Sequence, residues 1–322
     1  MRTSLLFFLI FLPALWGQVP KTAWGDPDLQ GMWPGNMGVP LQRPESLGTR
    51  TTLTDAEFAQ KEAQAKKLAQ ADSQSTAASD SVGIGPPSYW VERGKPSRQT
   101  SLIIDPPNGR LPPLTPEEER LRKEARGGKG FPGEWRGEAN SYEDLNIYYR
   151  CITRGVLGSL IPVVYNNGNE ILQAPGVVII RNEMIHETRV IPLDGRPHLN
   201  PAIRQYMGDS RGHWEGNTLV IETTNFTDKD AIGSNGAGYP GDPGHHSADL
   251  KLTERLTRVD ADTLNYQATI DDPKTWTKPW TILIPLKRND HYQLLEYACH
   301  EGNIAMGDIL SGARADEQKK TQ

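Results

Sequence analysis

The fold is decided by residues 250–271, which read LKLTERLTRVDADTLNYQATID. Apolar and polar side chains alternate along both halves of this stretch, as in β-strands that bury one face. The polar residues between Val259 and Thr263 separate the two halves. The segment therefore predicts two neighbouring strands of an antiparallel meander, at residues 250–259 and 263–271.

The same alternation extends outward on both sides, with turn signals such as Asn166-Asn167-Gly168 and Pro175-Gly176 between the runs. Eight antiparallel strands can close into a small barrel that holds one ligand. We therefore predict a mainly β fold, an antiparallel eight-stranded lipocalin-like barrel over residues 146–322. A two-sheet sandwich is the alternative, because it has the same sequence pattern. The pattern gives about eight or nine strands, at residues 147–153, 161–165, 170–174, 177–191, 218–224, 250–259, 263–271, 276–286 and 293–299.

Residues 18–145 read as irregular arms and short helices. Thr54 and Glu57 form a capping box that opens a helix ending near residue 71. Thr115, followed by Pro116, opens a second short helix. Because this half has little periodic apolar pattern, we expect it to wrap around the β domain instead of building its own core.

The first seventeen residues predict the compartment. A basic Arg2 precedes an apolar run over residues 5–16, which is typical of a signal peptide at residues 1–17. The mature protein is then periplasmic or secreted, with no stable membrane insertion after cleavage. A membrane anchor that is not cleaved is the alternative, because Leu15 is not a small residue. In an oxidising compartment Cys151 and Cys299 are expected to form a disulfide. Two buried thiols, or a metal site at Cys299 and His300, are the alternatives.

Composition excludes several classes of protein. The hydrophobic fraction is 36% and the mean hydropathy is −0.57, which excludes a polytopic membrane protein. The net charge of −5 argues against nucleic acid as a partner. The sequence contains no serine-hydrolase elbow, phosphate-binding loop, dinucleotide fingerprint, zinc-protease motif or haem motif. We therefore predict no cofactor and no metal; the expected partner is a small molecule, and the oligomeric state is left open.

Strand alternation points to candidate catalytic residues. Glu254 falls on the same strand face as Leu252 and Leu256, and Glu296 shares a face with His300 on the last predicted strand. If these faces line the barrel interior, burial raises the pKa of a carboxyl group and suits acid/base chemistry. Glu254, Glu296 and His300 are the catalytic candidates. In the alternative, Glu254 is ion-paired with an arginine of a neighbouring strand, or a bulge breaks the alternation.

A second group of residues is expected at the barrel mouth. The connection over residues 191–214 is long and polar, and such connections are often functional. Trp276 and Trp280 share a strand face that could stack on a sugar or aromatic ring. The alternatives are a structural cluster of salt bridges and ordinary sheet aromatics. The ligand-binding candidates are Arg189, Arg196, His198, Arg211, His213, Trp276 and Trp280.

Several longer motifs carry a family resemblance. They are GDPDLQGMW at residues 25–33, QTSLIIDPPNGRLPPLTPEE at 99–118, YRCITRG at 149–155 and GDSRGHWEGNTLVIETTNF at 208–226. With these motifs, nearly all of the mature chain resembles a large family of secreted bacterial proteins. The resemblance implies export, and it implies no activity and no catalytic residue.

Two functions fit these observations. The first is an exported enzyme that uses acid/base chemistry, as a lyase, isomerase or hydrolase, on a small polar or aromatic molecule such as a sugar derivative. The second is a periplasmic protein that binds a small ligand without catalysis. A structural role in an envelope assembly and a metalloenzyme are further alternatives. The position of Glu254 relative to a histidine and a solvent-connected pocket distinguishes the first two.

Overall fold

The computed structural model describes residues 19–35, 37–74, 88–124, 139–145, 147–229, 231–232 and 243–320. The predicted signal peptide at residues 1–17 lies outside the described residues. No helix in the described part of the chain is both long enough and apolar enough to cross a membrane.

The regular elements of the described chain are mostly β-strands. They are β1 (Gly31–Met32), β2 (Ile103–Asp105), β3 (Asn169–Ala174), β4 (Val177–Asn182), β5 (Thr188–Pro192), β6 (Asp209–Glu215), β7 (Thr218–Thr224), β8 (Ala231–Ile232), β9 (Gly244–His245), β10 (Lys251–Arg258), β11 (Thr263–Asp271) and β12 (Trp280–Lys287). The helices are α1 (Asp55–Gln74), α2 (Pro116–Glu124), α3 (Gly155–Gly158) and α4 (Ala305–Lys320).

The strands form open antiparallel sheets. Six strands are ordered β2-β12-β11-β10-β7-β6, four are ordered β1-β3-β4-β5, and β8 pairs with β9. Side chains alternate between buried and partly exposed along β10, as the sequence predicted. The buried faces of the four- and six-stranded sheets contribute to one hydrophobic cluster, to which Ile180 and Ile191 belong with Leu252 and Leu256. The arrangement is sandwich-like.

The sheets approach each other closely where β5 packs beside β6. A Cβ atom added at Gly212 would lie 2.6 Å from a Leu193 side-chain carbon and 2.9 Å from a side-chain carbon of Ile191. Only glycine lets the backbone of β6 come this near to the end of β5.

The predicted closed barrel does not form among the described residues. The segments at residues 147–153, 161–165 and 293–299 alternate in sequence but are not strands. The predicted strand at residues 177–191 is divided into β4 and β5 by a turn in which Ile185 and His186 have φ angles of 56° and 42°. Because these strands are missing or broken, the sheets keep free edges at β2 and β6.

The N-terminal segment contributes directly to both large sheets. Strand β1 pairs with β3, and β2 pairs with β12. Trp33 and Ile103, each fully buried, belong to the common core. The helix α1 begins directly after Thr54, and the predicted capping box forms there: the Thr54 amide donates to a Glu57 carboxylate oxygen at 2.8 Å.

Candidate functional site

Glu254 lies inside the fold as part of an ion pair that joins the two large sheets. Its carboxylate on β10 is fully buried. The Arg189 guanidinium on β5 donates to its two oxygens at 2.5 and 2.7 Å, and the Tyr266 hydroxyl donates to one of them at 2.9 Å. Burial, and then the charge of Glu254, raise the pKa of Tyr266 well above its usual value. Arg189 is therefore a core residue bound to Glu254. Among the described residues, the side-chain partners of the carboxylate are Arg189 and Tyr266, and no histidine hydrogen-bonds to it.

The structure separates Glu296 and His300 from Glu254. Both residues lie on an irregular segment after β12 and are exposed. Their alternation does not produce a strand, because the chain turns after β12, with the Tyr292 amide donating to the Asn289 carbonyl. The expected polar interior shared by Glu254, Glu296 and His300 is therefore not formed.

The other charged candidates from residues 191–214 are paired with nearby carboxylates. His198 Nδ1 and the Arg211 guanidinium lie 2.9 and 2.7 Å from the two oxygens of Asp209. Arg196 contacts Asp194, and His213 Nε2 lies 3.4 Å from Glu215. These contacts match the alternative of a structural salt-bridge cluster.

The two tryptophans are core residues. Trp276 is 2% exposed and Trp280 is fully buried. Their ring centroids are 5.5 Å apart in an edge-to-face arrangement. Rings buried in this way present no open face to a sugar, so Trp276 and Trp280 do not form the expected stacking surface.

An open cleft lined in part by the segment after β12 is the stronger candidate site. We call it the aromatic cleft; its volume is about 740 Å³. The Trp90 side chain is 55% exposed there, and its ring meets that of Tyr165 edge to face at 6.2 Å. The lining residues are Trp90, Glu92, Tyr165, Asn166, Leu295, Glu296, Tyr297, Ala298, Cys299, Glu301, Gly302 and Asn303.

One wall of the aromatic cleft is the irregular segment after β12, which side chains and a disulfide hold in place. The predicted disulfide between Cys151 and Cys299 is confirmed, with a Cα–Cα distance of 5.7 Å. The buried Glu183 carboxylate accepts hydrogen bonds from the Leu295 amide at 3.0 Å and from the Tyr292 hydroxyl at 2.5 Å. The wall is therefore fixed at both ends without a strand ladder.

Gly168 allows this wall to pack against the turn before β3. A Cβ atom added there would lie 2.5 Å from a Leu294 carbon, 2.6 Å from a Glu183 carboxylate oxygen and 2.6 Å from a Tyr292 ring carbon. The Gly168 amide also donates to Glu183 at 3.1 Å. Any larger residue would push the wall away from the turn.

Two tyrosines, Tyr165 and Tyr297, line the cleft, and a third, Tyr148, contacts Tyr297. The Tyr148 and Tyr297 hydroxyls are 3.2 Å apart, and the Arg154 guanidinium carbon lies 5.0 Å from the Tyr148 ring centroid. Burial raises the pKa values of Tyr165 and Tyr297 above the usual value. Their hydroxyls therefore remain protonated at neutral pH and act as hydrogen-bonding groups, not as bases.

Backbone strain is concentrated around this cleft. Cys151, Asn166, Ile185 and His186 all have φ angles between 42° and 56°, in a region that side chains other than glycine rarely adopt. Asn166 and the disulfide partner of Cys151 line the cleft, and His186 Nδ1 lies 3.2 Å from the Tyr297 carbonyl oxygen. Such strain occurs at sites where the surrounding structure must hold a set geometry.

The N-terminal contribution to this site is not predicted by the sequence. Trp90 and Glu92 come from a segment without apolar periodicity, and contact between that segment and residues 295–303 depends on the tertiary fold. The adjacent aromatics Tyr89 and Trp90, in an otherwise polar stretch, were the available signal. Glu296 was predicted as a site residue, and the structure places it on the open cleft wall instead of in an interior.

The described residues contain no group of three or more histidine, cysteine, aspartate or glutamate side chains placed to hold a metal ion. No protein-family model matches the chain, and no curated protein matches it. The resemblance to a secreted bacterial family therefore stays a prediction.

Proposed function

We propose that this protein binds a small, hydroxyl-rich molecule such as a sugar derivative in the aromatic cleft, without chemical conversion. The observation that carries the proposal is the pairing of an exposed aromatic surface with many hydrogen-bonding groups in one open cleft. Sugar rings have apolar C–H faces that pack on aromatic rings and hydroxyl edges that bind carboxylates and amides. Trp90 and Tyr165 supply the aromatic surface, while Glu296 and Asn303 lie among the polar groups.

The negative charge of the aromatic cleft excludes anionic ligands. Glu92, Glu296 and Glu301 line it, and the described residues of its lining include no lysine or arginine. A carboxylate or phosphate group on the ligand would be repelled here. Neutral sugars and amino sugars fit, since their hydroxyl and ammonium groups donate hydrogen bonds to carboxylates.

Binding fits better than acid/base catalysis at Glu254. A general acid or base must reach the proton that it transfers. Both Glu254 oxygens already accept hydrogen bonds from Arg189, and the carboxylate is fully buried. The enzyme hypothesis would need a different proton-transfer group.

We infer a location outside the cytoplasm. The disulfide between Cys151 and Cys299 supports it, because such bonds persist in oxidising compartments. The predicted signal peptide and the family resemblance point the same way. Mass spectrometry of protein purified from the native host would test both signal-peptide cleavage and the disulfide. Export predicts an N-terminus near residue 18 and no alkylatable thiol.

The binding proposal is tested by titrating the purified protein with a panel of neutral monosaccharides, disaccharides and amino sugars, followed by calorimetry and ligand-observed NMR. We expect at least one member to bind. Trp90→Ala should weaken that binding about tenfold or more, which corresponds to about 1.4 kcal/mol. Glu296→Gln should weaken it less and change the preference between neutral and amino sugars.

Trp24→Ala is the matched control, because Trp24 is also a partly exposed indole, at 39%, and does not line the cleft. It should bind as the wild type does. If no member of the panel binds, or if Trp90→Ala binds as tightly as the wild type, the proposal is wrong.

A further inference from the structure

A second cleft lies beside the first and has the opposite charge. We call it the basic cleft; its volume is about 380 Å³. Glu92 lines both clefts and so marks the boundary between them. The lining residues of the basic cleft are Pro34, Gly35, Glu92, Gly94, Lys95, Lys287, Arg288, Asn289 and Tyr292.

The single acid of the basic cleft is bound to other groups. One Glu92 oxygen accepts from the Asn166 amide at 2.9 Å and lies 3.1 Å from the Tyr292 hydroxyl, whose single proton Glu183 accepts at the shorter distance of 2.5 Å. The other accepts from the Asn167 amide at 3.1 Å and from its side-chain nitrogen at 3.0 Å. These three N–H donors stabilise the negative charge of Glu92, and the three cations give the cleft a net positive charge.

Two of these cations are held on a rigid support. Lys287 ends β12, and its Nζ lies 2.5 Å from the Thr263 hydroxyl of the neighbouring strand. The backbone amides of Arg288 and Asn289 donate to the carbonyls of Asp262 and Met32, at 2.9 and 3.0 Å. The cations are therefore placed by the sheet and by the turn that follows it, instead of by a free loop.

The Arg288 guanidinium has one acidic neighbour, which is open to solvent. Its Nε lies 2.7 Å from Asp290, whose side chain is 62% exposed. An exposed pair of this kind contributes little free energy, because water screens it. The contact uses Nε, and guanidinium groups bind oxyanions through several N–H donors at once.

We propose that the basic cleft is a second binding site, which takes an oxyanion group such as a sulfate, a phosphate or a carboxylate through Lys95, Lys287 and Arg288. Three observations support this inference together: the cavity, its three cations, and the hydrogen bonds that hold Glu92 against Asn166 and Asn167. It does not depend on which ligand occupies the aromatic cleft. A ligand that joined a hydroxyl-rich ring to an acidic group would match both clefts.

The test titrates the purified protein with sodium sulfate and with inorganic phosphate, against sodium chloride at equal ionic strength. The readout is the set of amide NMR shifts of Gly94, Arg288 and Asn289. We expect saturable shifts at millimolar sulfate or phosphate and no saturation with chloride. Lys287→Gln/Arg288→Gln should weaken the binding at least fivefold.

The matched control is Lys66→Gln/Lys67→Gln, which removes the same charge from exposed positions of α1. It should bind sulfate as the wild type does. Circular dichroism checks that each variant is folded, and Lys95→Gln replaces the double variant if that one is not. Sulfate shifts that match those of chloride, or that survive in the cleft variant as in the control, would overturn the proposal.

Discussion

Glu254 and Arg189 carry opposite charges and are enclosed between two sheets. Each charge is therefore stabilised by the other instead of by water. Glu254→Gln leaves the Arg189 guanidinium buried without its hydrogen-bonded counter-charge. Removing one member of such a pair costs about 3–5 kcal/mol of unfolding free energy. We expect a loss of that size in urea denaturation at neutral pH.

Two further variants separate this effect from a general loss of packing. Glu215→Gln removes the exposed partner of Arg255 and should cost less than about 1 kcal/mol. Arg189→Met/Glu254→Leu removes both buried charges and should recover most of the loss, since apolar replacements of buried pairs are often neutral. A cost below about 1 kcal/mol for Glu254→Gln would contradict the enclosed pair.

His246 should make the fold sensitive to acid. Burial lowers the pKa of His246 to about 4, although its contact with the Ser247 carbonyl opposes the shift. Because the folded pKa lies below the unfolded value near 6.5, the contribution is complete above pH 6.5 and is lost as the pH falls towards 4. This one group should remove about 3 kcal/mol of unfolding free energy across that window.

The measurement is the difference between the pH profiles of unfolding free energy of the wild type and His246→Gln, because other groups titrate in the same window. The variant should lose less stability between pH 6.5 and 4. His291→Gln, at an exposed position, is the control and should follow the wild-type profile. Parallel profiles for the wild type and His246→Gln would show that His246 is not buried in its neutral form.

The burial of a single residue can be predicted from the sequence where the alternation along its own strand is sufficient. The alternation of Leu252, Glu254 and Leu256 predicts that Glu254 is buried, and it is. Its partner Arg189 lies on a strand of the other sheet, 65 residues away along the chain. No local pattern encodes that contact, so a structural ion pair and a catalytic carboxylate look the same in the sequence.

At the scale of elements, the wall of the aromatic cleft depends on the disulfide. Cys151→Ser/Cys299→Ser should lower the unfolding free energy by about 2–5 kcal/mol. It should also raise hydrogen exchange at residues 293–303 more than in β10 and β11, because the sheets have their own ladders. Binding in the aromatic cleft should weaken in the same variant.

Gly168→Ala is a matched test of the same wall with the disulfide intact. The clash with Leu294, Glu183 and Tyr292 should loosen residues 292–295 and cost about 1–3 kcal/mol. Exchange in that segment should rise as in the disulfide variant. Unchanged exchange in both variants would mean that other contacts hold the wall.

The sequence predicts a strand correctly where a neighbouring strand supplies its backbone hydrogen bonds. β10 and β11 alternate strongly and pair with each other along their full length, and both were predicted to within about a residue. Residues 293–299 alternate as well, yet no strand lies beside them in the described sheets. The alternation of apolar and polar residues predicts which face of a segment would be buried. A strand forms only where a neighbouring strand supplies its hydrogen bonds.

For the whole molecule, the N-terminal segment and the β domain should fold as one unit. Strands β1 and β2 each extend a sheet built from the C-terminal half, and Trp33 and Ile103 lie in the shared core. A fragment of residues 18–145 should show no cooperative thermal transition, since its apolar residues find their partners outside it. A fragment of residues 146–322 should aggregate, because both sheets would expose apolar surface.

Calorimetry of the two fragments and of the full chain provides the measurement. The full chain should unfold in a single transition. Two separable transitions in the full chain, or a sharp transition in the residue 18–145 fragment, would contradict folding as one unit and would require two domains.

The wall of the aromatic cleft can vary in sequence without disturbing the two large sheets. Residues 293–303 are attached by one covalent bond and a few side-chain contacts, and no strand of either sheet depends on their sequence. Substitutions among Leu295, Glu296 and Ala298 can therefore change what the cleft accepts at little cost to folding. In protein engineering, this segment is the natural place for a randomised library, with the two cysteines and Tyr292 retained as fixed anchors.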